Sequence, residues 1–363
     1  MQVLIVGGGI AGLSLATALQ QRGIGCEIIE REAEWTTVGA GIALYPNGLR
    51  ALASLGLDHS VEVAGRPIDL VRTLSASGDV ISEFPGEIWE GVGRTVAVHR
   101  ARLQEVLRAA AADTPVRMAT TALAITESPD AVEVAFSDGT RGRYDLVVGA
   151  DGIRSQVRAT CFADSPPRYV GQMYWRTSVR AEVVDTATMM FAADRFVAML
   201  PLGHGETYVA AQLFRPDPFD LPPGTWTDEV RARFADFAAP VSDALAALTP
   251  ESVHFGPAEE IERDQWRAGR VLLVGDAAHA CSPTLAQGGS LAFEDALVLA
   301  EHLVTVANAA DLDQALDTFV ARREPRARWV RERTRLHMQV LNEGEPQLPQ
   351  LLRETFDHLA GAI

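Results

Sequence analysis

The sequence predicts an α/β fold in which a domain with a parallel sheet is interleaved with a β-sheet lobe and followed by C-terminal helices. Two observations support this prediction. Short apolar runs ended by glycine recur near the start, middle and end of the 363-residue chain, as buried parallel strands do. Residues 166–260 differ from their surroundings because they are rich in proline, aromatic residues and short β-like runs, which indicates a second sheet.

The composition is that of a globular protein with a sizeable core. Hydrophobic residues make up 47% of the chain and charged residues 22%. The net charge is −16, so we expect no nucleic-acid partner, because an acidic chain repels a phosphate backbone. The basic residues are all Arg. The lack of Lys excludes Lys Schiff-base chemistry and P-loop NTP hydrolysis.

Cysteine usage and hydropathy indicate a cytoplasmic protein. Cys26, Cys161 and Cys281 are far apart and form no CxxC, so the sequence has no zinc-ribbon spacing and no dithiol centre. The N-terminal apolar run leads at once into a glycine loop and is expected to be a strand rather than a signal peptide. No apolar run reaches about 18 residues, so we expect no membrane partner. We expect a monomer or a homodimer.

The first secondary-structure elements predict a βαβ unit. A buried strand at residues 3–6 is followed by a helix over residues 10–22, which Gly23 ends, and then by a strand at residues 26–30. Residues 132–136 alternate in polarity and lead into a Ser-Asp-Gly-Thr turn, which predicts a hairpin. Further helices are expected at residues 49–55, 102–112 and from 290 to about 342.

The order of these segments predicts the domain boundaries. The parallel-sheet domain is expected to comprise residues 1–67, 94–165 and 262–325. The β-sheet lobe is expected to comprise residues 68–93 and 166–261. Residues 326–363 are expected to form C-terminal helices.

A glycine motif follows the first strand. Gly7, Gly9 and Gly12 form a GxGxxG, in which the glycines permit a tight turn, a close approach to pyrophosphate and helix–strand packing. Glu30 ends the second strand and is placed to accept hydrogen bonds from an adenosine ribose, whereas Arg31 is either an adenosine contact or a solvated side chain. The alternative is a tight turn beside a surface Glu. The motif alone does not distinguish NAD from FAD.

Two later segments complete a set of three. Residues 145–158 run from an apolar strand into Gly-Ala-Asp-Gly, and residues 269–296 contain a second strand that ends in Gly-Asp. Together with residues 7–31, these segments resemble the GxGxxG, DG and GD motifs of the class A flavoprotein monooxygenases, which have the fold of para-hydroxybenzoate hydroxylase. The resemblance covers most of the chain and extends to residues 38–48. It implies a Rossmann-like FAD-binding domain and a β-sheet substrate domain.

The resemblance also implies contacts for individual residues. Arg100 is expected to touch the flavin or its phosphates, and Gly41 lies in a segment that flanks the flavin ring in relatives. Backbone contacts are implied for Leu123 with the adenine and for Leu285 with the flavin. Asp151, with Arg158, is expected to link flavin and nicotinamide binding; the alternative is a local Asp–Arg pair that stabilises a turn.

The GD segment suits a flavin for physical reasons as well. The Asp276 carboxylate follows a buried strand and can accept hydrogen bonds from ribityl hydroxyls, although a turn or N-cap Asp is the alternative. The helix that begins after Gly288 and Gly289 can stabilise negative charge on the reduced ring. Pro283 would stiffen the loop beside the reactive C4a edge. We interpret His279 as bonded to the loop backbone rather than as a base, and Cys281 as a small loop residue.

The activity that the resemblance implies is oxygen insertion. NADH or NADPH reduces FAD, O₂ reacts at flavin C4a, and one oxygen atom enters an aromatic or polycyclic small molecule. The chain has one GxGxxG and no CxxC, so the reductant is expected to bind transiently. The alternatives are an FAD oxidase or reductase of the same fold without oxygen insertion, and a flavin-binding redox protein without turnover.

The β-sheet lobe supplies the expected substrate contacts, which suit a flat apolar molecule although most could be sheet core. They are Trp89, Met173, Tyr174, Trp175, Arg176, Met189, Met190, Phe191, Phe196, Met199 and Tyr208. Tyr208 and His204 are the candidates for a base that activates a phenol. Related urate hydroxylases carry an Arg and an Asp where this chain has Phe196 and Thr284, so urate is not the expected substrate.

Overall fold

The computed structural model describes residues 1–35, 40–86, 94–128, 130–163, 165–343 and 348–363. Residues 38–39 of the extended motif and Trp89 lie outside these ranges. The strands are β1 Gln2–Val6, β2 Gly25–Ile29, β3 Gly41–Leu44, β4 Gly65–Ile68, β5 Leu70–Ser75, β6 Val80–Pro85, β7 Thr95–His99, β8 Val116–Arg117, β9 Ala122–Glu127, β10 Val132–Phe136, β11 Arg141–Tyr144, β12 Leu146–Gly149, β13 Arg168–Val179, β14 Ala187–Phe191, β15 Arg195–Gly203, β16 Glu206–Phe214, β17 His254–Glu260, β18 Arg267–Ala268 and β19 Val271–Leu273.

The helices are α1 Ile10–Gln20, α2 Pro46–Ser54, α3 Asp58–Ala64, α4 Arg100–Ala110, α5 Gln156–Cys161, α6 Trp226–Arg233, α7 Val241–Ala246, α8 Asp276–His279, α9 Gly288–Leu303, α10 Ala309–Glu343 and α11 Leu348–Leu359. Short 3₁₀ turns occupy Pro223–Thr225, Pro250–Ser252 and Pro283–Leu285. None of the described helices is both long and apolar enough to cross a membrane.

The first sheet, here called the parallel sheet, has the strand order β18-β19-β12-β1-β2-β8. Its strands from β19 to β8 pair in parallel. Because β1 lies inside this sheet, its side chains Val3, Leu4 and Ile5 are fully buried. Helices α1 and α9 pack against each other beside it. The three glycine-ended motifs follow β1, β12 and β19, so the topology brings them to one edge of the sheet.

The second sheet, here called the mixed sheet, has the order β17-β13-β16-β15-β14-β5-β6. Its strands alternate, so that one face packs into a core with Trp175, Val197 and Val209, while the opposite face carries Tyr174 and Ala210. All its strands come from residues 70–85 and 168–260. The predicted fold class is confirmed; the domain boundaries stay a prediction.

Several predicted helices differ from the structure at their ends. The helix expected at residues 102–112 begins at Arg100, because the His99 side chain accepts a hydrogen bond from the Ala101 N–H and caps it there. The helix expected at residues 49–55 begins at Pro46, whose fixed φ suits the first helical turn. The helical stretch expected from residue 290 to about 342 comprises two helices, α9 and α10, and Asn308 accepts from the Asp311 N–H where the second begins.

A buried ionic cluster joins α9 to α10. Glu294 and Asp295 are consecutive, fully buried residues of α9, and the equally buried Arg323 of α10 lies 2.8 Å from an oxygen of each. Arg326 also donates two hydrogen bonds of 2.8 Å to Glu294. Two carboxylates and two guanidinium groups therefore balance in charge inside the protein, which offsets the desolvation of each group. We call Glu294, Asp295, Arg323 and Arg326 the ionic cluster.

We predict that Arg323→Met lowers the free energy of unfolding by about 3–5 kcal/mol, because two buried carboxylates lose the guanidinium that they share and only Glu294 keeps a second one, from Arg326. Denaturant unfolding of the purified protein measures this change. The matched control is Arg322→Met, one residue away, where the pair with Glu301 is solvent-exposed and contributes less than about 1 kcal/mol. Equal losses in the two variants would contradict a structural role for the cluster.

Candidate active site

One continuous cavity of about 1550 Å³ connects the motif edge of the parallel sheet with the mixed sheet. Gly7, Glu30, Asp151, Asp276 and Gly288 line it from the three motif segments. Tyr208 lines it from the mixed sheet. The cavity thus brings together side chains from the three motifs and from the second lobe.

The glycine loop after β1 lets a ligand approach the protein backbone closely. Gly7 has φ of +109°, and a Cβ there would lie 2.6 Å from the Ala150 carbonyl oxygen. A Cβ at Gly12 would lie 1.9 Å from the Gly7 carbonyl oxygen, so this glycine allows the helix to pack on the turn. A Cβ at Gly9 would meet only open space, and no side chain caps the N-terminus of α1. Its first N–H groups are therefore available to an anion.

Glu30 follows β2 at the wall of the cavity. Its two carboxylate oxygens accept hydrogen bonds from the N–H groups of Gly8, at 2.8 Å, and Glu32, at 3.0 Å. These contacts fix the carboxylate beside the glycine loop. Arg31 is exposed at the cavity edge and pairs with Glu32 at 3.2 Å, which fits either of the two roles expected for it.

The GD segment forms part of the cavity wall. Gly275, with φ of +58°, turns the chain from β19 into α8, which begins at the exposed Asp276. The turn Pro283–Leu285 and the N-terminus of α9, at Gly288 and Gly289, complete this wall. The α9 N-terminus has no side-chain cap and no acidic residue in its own first turn, so its positive end faces the cavity, with Asp276 Oδ1 next to Gly288.

The ionic cluster holds this loop in place. Asp295 accepts hydrogen bonds from the Gly275 N–H, at 2.9 Å, and from His279 Nε2, at 2.6 Å. The interpretation of His279 as bonded to loop backbone is therefore wrong, because its buried ring binds a buried carboxylate instead. Glu294 accepts from Asn47, whose amide also donates to Gln287 at 2.9 Å. Both carboxylates thus position cavity loops.

Burial alone would raise the pKa of the Asp295 carboxyl, but the attraction of His279 and Arg323 and its hydrogen bonds lower that pKa to about 2. The pKa of Glu294 is also lowered, since Arg323 and Arg326 outweigh its burial. Both groups are therefore ionised in the folded protein at neutral pH.

Asp151 and Arg158 of the DG segment both bind backbone groups. Asp151 lines the cavity, and its Oδ2 accepts from the N–H groups of Gln156, at 2.7 Å, and Val157, at 3.1 Å, at the start of α5. Arg158 is buried and donates to the carbonyl oxygens of Ala277, at 2.8 Å, and Ile153, at 2.5 Å. Arg158 therefore ties the DG segment to the GD segment.

Gly41 and Arg100 also line the cavity. A Cβ at Gly41 would come within 2.5 Å of the Tyr208 Cβ, so only glycine allows these strands to approach so closely. The Arg100 N–H donates to the Ala40 carbonyl oxygen at 3.1 Å, and its side chain lines the cavity. Leu285 is buried and also lines it.

Leu123 does not line the cavity, and its side chain is 60% exposed. Its neighbours Thr121 and Ala122 line the cavity instead. Cys281 lies on the cavity wall, and burial raises the pKa of its thiol to about 12, so it remains protonated.

The alternation of the mixed sheet sorts the expected substrate contacts. The side chains that line the cavity are Tyr174, Arg176, Met189, Phe191, Phe196, Met199 and Tyr208. Met173, Trp175 and Met190 are buried elsewhere and do not line it. His204 is exposed in the β15–β16 turn, away from the cavity, so its expected role as a base is wrong. Burial raises the pKa of Tyr208, which keeps its phenol protonated.

The C-terminal helices complete the cavity, a role that the sequence did not reveal. His337 and Leu341 of α10 and Leu352, Arg353 and Phe356 of α11 line it. The Phe356 ring packs on Tyr45 with a centroid distance of 4.7 Å. The apolar spacing of Leu352, Phe356 and Leu359 predicts a buried helix face, but nothing in that spacing indicates which surface the face covers.

Comparisons with known proteins identify the family of the chain. A family model described as an FAD binding domain matches residues 1–334. The chain is 35% identical over 340 residues to the aurachin C monooxygenase/isomerase of Stigmatella aurantiaca, covering 90% of this chain and 86% of that protein. It is 33% identical over 342 residues to the 2-heptyl-3-hydroxy-4(1H)-quinolone synthase of Pseudomonas aeruginosa, covering 92% and 88%.

The structure of Klebsiella pneumoniae HpxO complexed with FAD and uric acid matches with a TM-score of 0.86 and 29% identity, over 99% of this chain and 92% of that one. The chain therefore belongs to the FAD binding domain family, and its resemblance to class A flavoprotein monooxygenases is confirmed. It is an FAD-dependent monooxygenase.

We predict that low pH lowers the free energy of unfolding because Asp295 becomes protonated. A carboxyl whose pKa is lower in the folded than in the unfolded state stabilises the fold fully above its unfolded pKa of 3.8, and this stabilisation is lost as the pH falls through about 2. The contribution is on the order of 2 kcal/mol. Denaturant unfolding between about pH 5 and pH 2 should show a shallower decline for Asp295→Asn than for the wild type.

The control for this measurement is Asp228→Asn, whose carboxylate is 87% exposed. This variant should follow the wild-type pH dependence. If Asp295→Asn lost stability with acid as steeply as the wild type, the assignment to Asp295 would be wrong.

Proposed function

We propose that the protein uses NADH or NADPH and O₂ to insert one oxygen atom into an aromatic or polycyclic small molecule. The observation that carries this proposal is the continuous cavity, which joins the glycine loop, the GD segment and an open face of the mixed sheet. The two relatives take their names from a quinolone that one of them synthesises and from aurachin C, and these compounds support an aromatic substrate class.

The residues of the cavity fit FAD in one direction along it. We propose that Glu30 and Arg31 contact the adenosine, that Gly7, Gly9 and the α1 N-terminus hold the pyrophosphate, and that Asp276 binds the ribityl hydroxyls. The flavin ring would lie by Gly41, Arg100, Leu285, Gly288 and Gly289. The open space at Gly9 and the exposed Asp276 carboxylate support this placement.

FAD, when bound, accepts electrons from the reductant and activates O₂. The N–H groups at the start of α9 would stabilise negative charge next to Gly288 and Gly289, since this helix end is uncapped. Pro283 would keep the neighbouring loop stiff, because it begins the turn Pro283–Leu285. The mixed sheet would exclude water from the reacting atoms with Phe196, Met189 and its other apolar residues.

Tyr208 lies on the mixed-sheet wall of the cavity, beside the segment that we expect to flank the flavin ring. It packs on Gly41 and lines the cavity, and its raised pKa keeps the phenol protonated at neutral pH. We therefore propose that Tyr208 donates a hydrogen bond to a substrate oxygen and does not act as a base. The role of Asp151 in linking flavin to nicotinamide remains a proposal, supported by its place on the cavity wall.

The test of the function is oxygen insertion linked to NAD(P)H consumption. We predict slow NAD(P)H oxidation by the holoenzyme alone and a marked increase with a true substrate found by screening aromatic compounds. With ¹⁸O₂, the product should carry one heavy atom, measured by mass spectrometry. Stimulated NAD(P)H oxidation with an unlabelled product would favour an oxidase or reductase, and flavin that no nicotinamide reduces would contradict the proposed reductant.

We also predict that Asp276→Ala weakens FAD binding roughly tenfold or more, because a charge-assisted hydrogen bond contributes about 1.5–3 kcal/mol. Flavin fluorescence during dialysis or titration measures the affinity. Asp217→Ala is the control, since Asp217 is exposed and lies outside the cavity lining. Affinity for FAD that is the same in the two variants would remove Asp276 from the binding site.

A further inference from the structure

Two charged side chains stand on the wall that the mixed sheet gives to the cavity, and one of them has no counter-charge. Among the described residues of this sheet that line the cavity, Arg176 of β13 and Glu259 of β17 are charged, and Glu259 is paired with Arg154 at 2.8 Å. Arg176 is half-buried, and its guanidinium lies 5.8 Å from the centroid of the Tyr174 ring. Across the described residues, no carboxylate forms an ion pair with it and no hydrogen bond satisfies it.

Other arginines at the cavity are arranged differently. Arg154 is paired with Glu259 at 2.8 Å. Arg31, Arg100 and Arg353 also line the cavity, but they lie outside the mixed sheet and are exposed. A guanidinium that is partly withdrawn from water without a counter-charge is unfavourable unless a ligand supplies the anion. Arg176 is therefore poised for a group that comes with the substrate.

Small side chains lie next to Arg176 on the cavity face of the mixed sheet. Its cross-strand partner on β16 is Ala210, whose partner on β15 is Ala198. Both alanines line the cavity, as does Gly256 of β17. A row of small side chains next to a cation gives a flat aromatic ring a surface on which to lie.

A second polar group faces the same space without a partner. Gln212 pairs with Tyr174 in the register, one step along the face from the Arg176–Ala210 pair, so the two polar residues are diagonal neighbours about 7–8 Å apart. Gln212 is 5% exposed and lines the cavity, yet its Oε1 has no hydrogen-bond partner within the described chain. A buried acceptor of this kind needs an N–H or O–H donor.

We propose that Arg176 and Gln212 form a substrate-recognition pair for an aromatic ring that carries an acidic oxygen and, close to it, an N–H or O–H donor. The acidic oxygen, a carboxylate or an ionised phenol or enol, binds the guanidinium of Arg176. The donor binds Oε1 of Gln212. This inference rests on the proposed function in that the ligand is taken to be the substrate, and it names the chemical class that the site selects.

The test uses binding to the oxidised holoenzyme, with 2-aminobenzoate as the probe and its methyl ester and benzoate as comparisons. The ester lacks the anionic oxygen, and benzoate lacks the N–H donor. Calorimetric titration, together with the change in flavin absorbance, measures each affinity. We expect the wild type to bind 2-aminobenzoate roughly tenfold or more tightly than the ester, as for a charge-assisted hydrogen bond, and more tightly than benzoate.

Variants assign these preferences to residues. Arg176→Met should abolish the preference for the acid over the ester, while Arg176→Lys should keep part of it because the charge remains. Gln212→Leu should abolish only the preference for 2-aminobenzoate over benzoate. Arg154→Met, which removes a cavity arginine already paired with Glu259, should leave both ratios unchanged. FAD content and melting temperature are measured for each variant, so that a folding defect is recognised.

A wild type that shows no preference for the acid, including one that binds neither probe, would overturn the proposal, as would an Arg176→Met protein that keeps the preference. The binding measurement needs neither reductant nor O₂, so its failure is distinguishable from failure of the proposed oxygen insertion. A neutral substrate that is hydroxylated with ¹⁸O incorporation, without any contribution from Arg176, would leave the function standing and reject the recognition pair.

Discussion

The arrangement of the active site depends on one buried guanidinium. Arg323 lies between Glu294 and Asp295, two consecutive residues of a helix whose side chains diverge by roughly 100°. The two carboxylates reach different segments: Glu294 binds Asn47 in the first turn of α2, and Asp295 binds the Gly275 N–H and His279. One ion-pair centre therefore sets the relative positions of two segments that lie far apart in sequence.

This dependence extends to the end of the chain. Arg326, which binds Glu294, also donates to the Leu359 carbonyl oxygen at 3.0 Å, and Arg50 donates to the carbonyl oxygens of Ala360 and Gly361 at 2.8 Å. These bonds satisfy carbonyl groups at the end of α11, where helices leave them unpaired. The helix that closes the cavity is thus anchored to the cluster that orders the cavity loops.

Sequence patterns predicted the parallel sheet and its motifs well because these depend on local chemistry. The glycines at positions 7 and 12 are required by backbone approach within a few residues, and Asp276 follows directly from a strand end. The role of His279 was missed because its partner, Asp295, is 16 residues away and is selected by helix packing. The cavity-lining face of α11 was missed for the same reason, since an amphipathic helix does not specify its partner.

The alternation of side chains in the mixed sheet separates residues that line the cavity from residues that stabilise the core. Along β13, the cavity receives Tyr174 and Arg176, while the intervening Trp175 packs into the core against Phe234 and Phe255. Substitutions at every second position can therefore alter which molecule is recognised while the hydrophobic layer beneath stays intact. Such a sheet is an evolvable surface, on which new specificity arises by single mutations that leave folding largely unaffected.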